Sequence, residues 1–143
     1  MLRVTPMTAT EVLIAGSAGF ALSGIPSTAH ALATGGDVLV GARAAGAILL
    51  PRERRTLPLL ASATVAHAAL SFGWAAVLAA VLPRGRELRW GPPAALGIAL
   101  LDLGVIGRRL PAIRALAPAP QVADHLAYGA AVGGALRVVR GRA

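Results

Sequence analysis

Residues 57–82 read LPLLASATVAHAALSFGWAAVLAAVL, without one Asp, Glu, Lys or Arg, and His67 is their single imidazole. As a helix this stretch is roughly 39 Å long, more than the ~30 Å hydrocarbon core of a bilayer. The pattern predicts a transmembrane helix. Pro58 falls in its first turn and Pro83 just past its end, where a proline removes no needed backbone partner. Arg52, Arg54 and Arg55 precede it and Arg84, Arg86 and Arg89 follow, so both ends are expected in headgroup water.

Three further apolar stretches, at about 11–33, 91–109 and 121–139, have the same character, the last being the least apolar. The N-cap of the first is expected at Thr10, or at Thr8 with Glu11 three residues on as a capping box. Gly24 and Pro26 predict a kink in it, with Ser23, Ser27 and Thr28 near the freed backbone groups. Arg3 ahead of an apolar run gives the same stretch a second reading as a signal peptide, opposed by its thin basic region and by the Gly and Ser in the run. Residues 37–50 are helical in pattern but would reach only about 21 Å, too short to span. With Val38, Ala42, Ala45 and Leu49 on one side, they fit an interfacial or re-entrant helix that Asp37 caps. Trp90 suits an interface anchor, and 111–120 reads as a proline-rich loop. The expectation is one all-α transmembrane domain over 1–143: an integral four-helix bundle with an additional short interfacial or re-entrant helix after helix one.

Composition narrows the environment further. The chain is 56% hydrophobic and 14% charged, with a mean hydropathy of +0.68, too few polar side chains to cover a soluble domain of this size. The net charge of +8 comes from 14 arginines with no lysine, which fits a GC-rich bacterial genome. Nucleic-acid binding would need a basic face, whereas these arginines fall in short clusters between apolar runs; lipid headgroups are the expected partner and nucleic acid is not. The arginines divide seven and seven between the two sides, so orientation stays undetermined. Without cysteine there is no disulfide, thiolate ligand or thiol nucleophile.

Small residues recur every fourth position: Ala15, Gly19, Ser23 and Ser27 in helix one, Ala63, His67, Ser71, Ala75 and Ala79 in helix two, and His125, Gly129 and Gly133, with a GxxxG, in the last. Such stripes let backbones approach closely. Gly19, Ser23, Gly129 and Gly133 are therefore assigned to helix packing inside the bundle, a homodimer through the GxxxG or contact with another membrane protein being the other uses of that stripe. Ionisable groups at mid-bilayer cost several kcal/mol unless paired or wetted. His67 and Asp102, each about ten residues into its helix, are expected to face each other near the midplane, with Tyr128 at a similar depth. His30, Asp124 and His125 form a candidate interfacial cluster within about 6 Å of one surface, and Asp124 suits a capping carboxylate. The two layers stand roughly 10 Å apart, too far for one ion's ligands. No metal, cofactor or catalytic residue is assigned.

The segments PSTAHAL, ARAAGAILLP, ALLDLGVIGRRLPAIR and PQVADHLAYGAAVG, with the helix-two histidine, resemble a group of small, uncharacterised bacterial multi-pass membrane proteins. Most specific is the closing pattern carried by Asp124, His125, Leu126, Tyr128, Gly129 and Gly133. The resemblance covers most of the chain and implies a membrane topology, without activity, substrate or cofactor. The leading expectation is a structural or accessory protein of the cell membrane. The alternative is a small transporter or proton-conducting module using the His67 and Asp102 pair. A third reading, an enzyme acting on a lipid headgroup through Asp124 and His125, requires an aqueous pocket at that interface.

Overall fold

A computed structural model describes residues 7–141, so Arg3 and Arg142, both used in the arginine count, lie outside the described residues. Those residues are helical with no strand among them. Helix α1 runs Ala9–Leu22 and α2 runs Ile25–Thr34. Short α3 is Val40–Gly46, and α4 is the uninterrupted Thr56–Val81. Helix α5, Glu87–Leu101, widens into a π turn over Asp102–Ile106 and tightens into one 3-10 turn to Arg109. A four-residue α6, Pro111–Arg114, leads to α7, Pro118–Gly141.

The sequence explains where these elements begin. The Thr8 hydroxyl accepts from the Glu11 amide at 3.1 Å while the Glu11 carboxylate accepts from the Thr8 amide at 2.7 Å, the reciprocal box expected from their spacing. Two starts lie upstream of the expected ones. Helix α5 begins at Glu87 instead of 91 and carries Pro92 and Pro93 inside it. The carbonyls those prolines leave without a helical donor belong to the first turn, beside the aqueous end. Helix α7 begins at Pro118 instead of 121, because prolines in a first turn give up amides that have no helical acceptor anyway. The segment after α2 is helical over seven residues only; Asp37 accepts from the Leu39 amide at 2.8 Å and pairs with Arg43 ahead of it.

Helix α7 packs on α1 and α5, α4 lies against α1, and α3 lies against the start of α4. The α5 and α7 contact is made by glycine. A Cβ at Gly129 would overlap the Gly91 carbonyl, and one at Gly133 would overlap the Glu87 carbonyl, so the two backbones run antiparallel in contact. Between the helices sits a core of small and medium side chains, among them Ala15, Ala75, Leu78, Val132 and Leu136.

Large apolar side chains mostly point outward: Leu57 is 79% exposed and Leu100 72%. Three segments, Ala9–Thr34, Thr56–Val81 and Glu87–Arg109, are long and apolar enough to cross a membrane, and the chain itself buries no more than 28% of any such window. That surface is suited to lipid and would be an aggregation liability in water. The molecule has the build of a membrane protein.

Candidate functional site

The interruption between α1 and α2 is the origin of one polar cluster. Pro26 has no amide and Ser23 and Gly24 turn the chain, so carbonyls at the end of α1 and amides at the start of α2 lack helical partners. In lipid each such group would cost several kcal/mol. Two side chains from other helices supply the partners. His67 on α4 donates Nε2–H to the Phe20 carbonyl at 3.0 Å, its ring beside the Phe20 ring at 4.9 Å, with Ser23 Oγ at 3.5 Å. Asp124 on α7 accepts from the Ser27 amide at 2.8 Å, so a carboxylate of one helix caps the positive end of another. Ser27 Oγ donates to the Gly24 carbonyl, which already accepts from the Thr28 amide in the ordinary helical way, so the freed groups are met by His67 and Asp124 and not by the hydroxyls beside the kink.

A second cluster touches the first through consecutive residues of α7. His125 Nδ1 lies 2.8 Å from the Gln121 carbonyl oxygen, which can only accept, so Nδ1 carries a hydrogen. Its Nε2 lies 3.6 Å from Asp102 Oδ2. A bare Nε2 would turn a lone pair toward a carboxylate, so the contact is favourable only with a proton on one of the two atoms. Trp74 Nε1–H donates to the same Asp102 oxygen at 3.2 Å. Asp102 opens the π turn, a local widening that recurs at functional positions. One turn along α7, the buried Tyr128 hydroxyl donates to the Ser71 carbonyl and ties α7 to α4.

The imidazole that Asp102 meets is thus His125 and not His67, which bonds to α1. Helix starts bring His125 to the depth of Asp102, and the packing of α5 on α7 makes it the neighbour. With α5 beginning at Glu87, Asp102 lies about 22 Å from that end, and His125 lies about 24 Å from the end of α7 on the same side. The two expected layers are one. His30 stands apart from it, exposed on α2 one turn past Ser27. Asp124 does cap, but it caps α2 and not its own helix. Both side chains of the headgroup-enzyme reading are therefore engaged inside the bundle. Of the packing residues, Gly19 is closed in by the Tyr128 ring, Ser23 is buried at the kink, and Gly129 and Gly133 face α5. The GxxxG that could have joined two copies is occupied within the chain.

A third cluster, at the other end of α7, was not anticipated. Arg140, its side chain 6% exposed, donates Nε–H to Glu11 Oε1 at 2.7 Å and Nη1–H to Glu87 Oε1 at 3.3 Å. It also donates to the carbonyls of Leu82, at 3.2 Å, and Ala79. One guanidinium joins α1, α4 and α5. Glu87 is wholly buried, and its second oxygen has no partner among the described residues. Arg84 approaches Glu11 at 3.6 Å, and Arg137 donates to the Gly85 carbonyl at 3.0 Å. The available signal was the placing of two glutamates at the starts of two apolar helices, at the same end as a late arginine. With helix three starting at 91 and the last helix ending at 139, Glu87 falls in a loop and Arg140 in a tail, and that signal is lost.

Among the described residues no three His, Asp or Glu side chains are grouped to hold a metal ion. No family model, curated protein or solved structure matches this chain.

Proposed function

We propose that this chain is a structural or accessory protein of the cell membrane, a four-helix bundle in which α7 is the fourth span and α3 an interfacial segment. The observation that carries this reading is the use of its carboxylates. All six meet a partner inside the chain, and the four on the long helices join one helix to another. Side chains engaged in holding helices together serve a scaffold. The lipid bilayer is the expected partner, and kinship with the small bacterial membrane proteins that the sequence resembles belongs to the same proposal. With four spans, reporters fused to the C-terminus and to the Arg84 to Arg89 loop report the same side; opposite sides would remove the fourth span.

A proton-conducting or small-transporter role is the second reading, and one observation favours it. Asp102 and His125 place two ionisable groups of different helices 3.6 Å apart, beside a π turn. Reconstitution in liposomes loaded with a pH dye separates the readings. The scaffold gives no proton or solute flux. A flux that disappears in Asp102→Asn would overturn the scaffold and establish the conductor.

A further inference from the structure

At the end of the molecule away from Arg140, α3, the first turn of α4 and the start of α6 enclose a cleft of about 560 Å³. Ala47, Ile48, Leu59 and Leu110 give it an apolar floor, and Arg43 and Arg54 stand at its rim. Local charge decides what it can hold. Arg43 is matched by Asp37. Glu53, which also lines the cleft, has Oε1 taken by the amides of Arg54 and Arg55 and Oε2 by the Arg55 guanidinium at 2.8 Å. That leaves the exposed Arg54 with no ion pair among the described residues and a net positive rim over an apolar floor.

Depth decides where the ligand comes from. Arg54 precedes the first residue of α4 by two positions, and Leu110 follows the last residue of the third membrane-capable segment. The cleft therefore opens at the level where headgroups meet acyl chains. Leu49, Leu50 and Leu57 beside it are exposed, a setting for hydrocarbon more than for water. We propose that this cleft binds one anionic phospholipid, its phosphate on Arg54 with help from Arg43 and the upper part of an acyl chain over the apolar floor. The proposal rests on the spans lying in lipid, and it adds a specific ligand to a surface that the scaffold reading treats as generic.

Native mass spectrometry of the detergent-solubilised full chain tests it, with phosphatidylglycerol as the probe against phosphatidylcholine and inorganic phosphate. Phosphatidylglycerol is expected to be retained in preference to phosphatidylcholine, with inorganic phosphate not competing. Arg54→Gln weakens retention about 5-fold, the effect of one arginine near an anionic surface. Ala47→Trp, which fills the floor, also weakens it, while Arg86→Gln at the opposite end leaves it unchanged. Equal retention of the two lipids would overturn the proposal, as would competition by inorganic phosphate at the concentration of the lipid, or undiminished binding by Arg54→Gln. Arg54 is exposed, so that variant remains decisive even if Ala47→Trp unfolds. Should the spans not lie in lipid at all, the chain stays monodisperse without detergent, which is read before any lipid is added.

Discussion

The two ends of the bundle both expose arginines, and one of them also buries one. At the end where α1 and α5 begin and α7 finishes, Arg140 is nearly buried between two buried glutamates and two carbonyls. At the other, Arg43 and Arg55 make pairs in the open, and Arg52, Arg54, Arg108, Arg109 and Arg114 are exposed without an ion pair among the described residues. Residue type is the same; burial differs. A buried charge whose partner is removed is left in a low dielectric, whereas an exposed one is rescued by water. The first end thus adds a joint between helices to its exposed Arg86, Arg89 and Arg137, while the second is a basic rim alone.

That contrast can be broken most forcefully at Arg140. Arg140→Met strands the buried Glu87 and leaves Glu11 only Arg84 and the Thr8 amide, and a loss of about 3–5 kcal/mol is expected, read as a large drop in the unfolding midpoint in detergent. Equal stability to the parent would reduce the joint to an ornament. Next comes the seam that brings the joint together: Gly129→Val drives a side chain into the Gly91 backbone, and a cost of about 1–3 kcal/mol should separate α5 from α7 in the same assay. Asp124→Ala removes the cap from the Ser27 amide at the kink and should cost about 1–2 kcal/mol, with amide exchange rising first around 25–28.

The smallest effect belongs to the open end. Hydrogen bonds from Arg55, then from the amides of Arg55 and Arg54, hold the Glu53 carboxyl down at about 2 from its ordinary 4.5. A lowered carboxyl stabilises the folded state above the unfolded value and loses that contribution as pH falls through the folded one. Glu53→Gln should therefore barely alter the midpoint at neutral pH, since the pair is exposed. Its small difference from the parent should close between about pH 4.5 and pH 2. A difference that widened on acidification would contradict the assignment.

Much of this was legible from the chain. The apolar runs of α1, α2 and α4, the break at Gly24 and Pro26, the Thr8 and Glu11 box and the small-residue stripes all follow from local pattern, and the structure contains them. What failed was depth. Pro92 and Pro93 mark a helix start at 91 and the prolines up to 120 a loop, whereas the helices begin at Glu87 and Pro118, and those few residues displace Asp102 and His125 by several ångströms each. A depth estimate for a side chain is only as good as the helix start it is counted from. Neighbour order was also beyond local pattern: α5 leaves a short turn after α4 yet packs chiefly on α7, which is why His67 meets α1 and Asp102 meets α7.

The claim beneath all of this is that lipid is the solvent for the outward apolar faces. The chain has no cysteine, so single thiols can be placed at will and offered a membrane-impermeant maleimide in intact vesicles, where reaction needs the thiolate and hence water. Val65→Cys and Leu100→Cys, on faces 61% and 72% exposed in the isolated chain, should resist labelling while Arg54→Cys and Arg86→Cys react when offered reagent from both sides. Labelling of Val65→Cys and Leu100→Cys at the rate of Arg54→Cys would mean that water covers those faces, and the membrane account would be wrong.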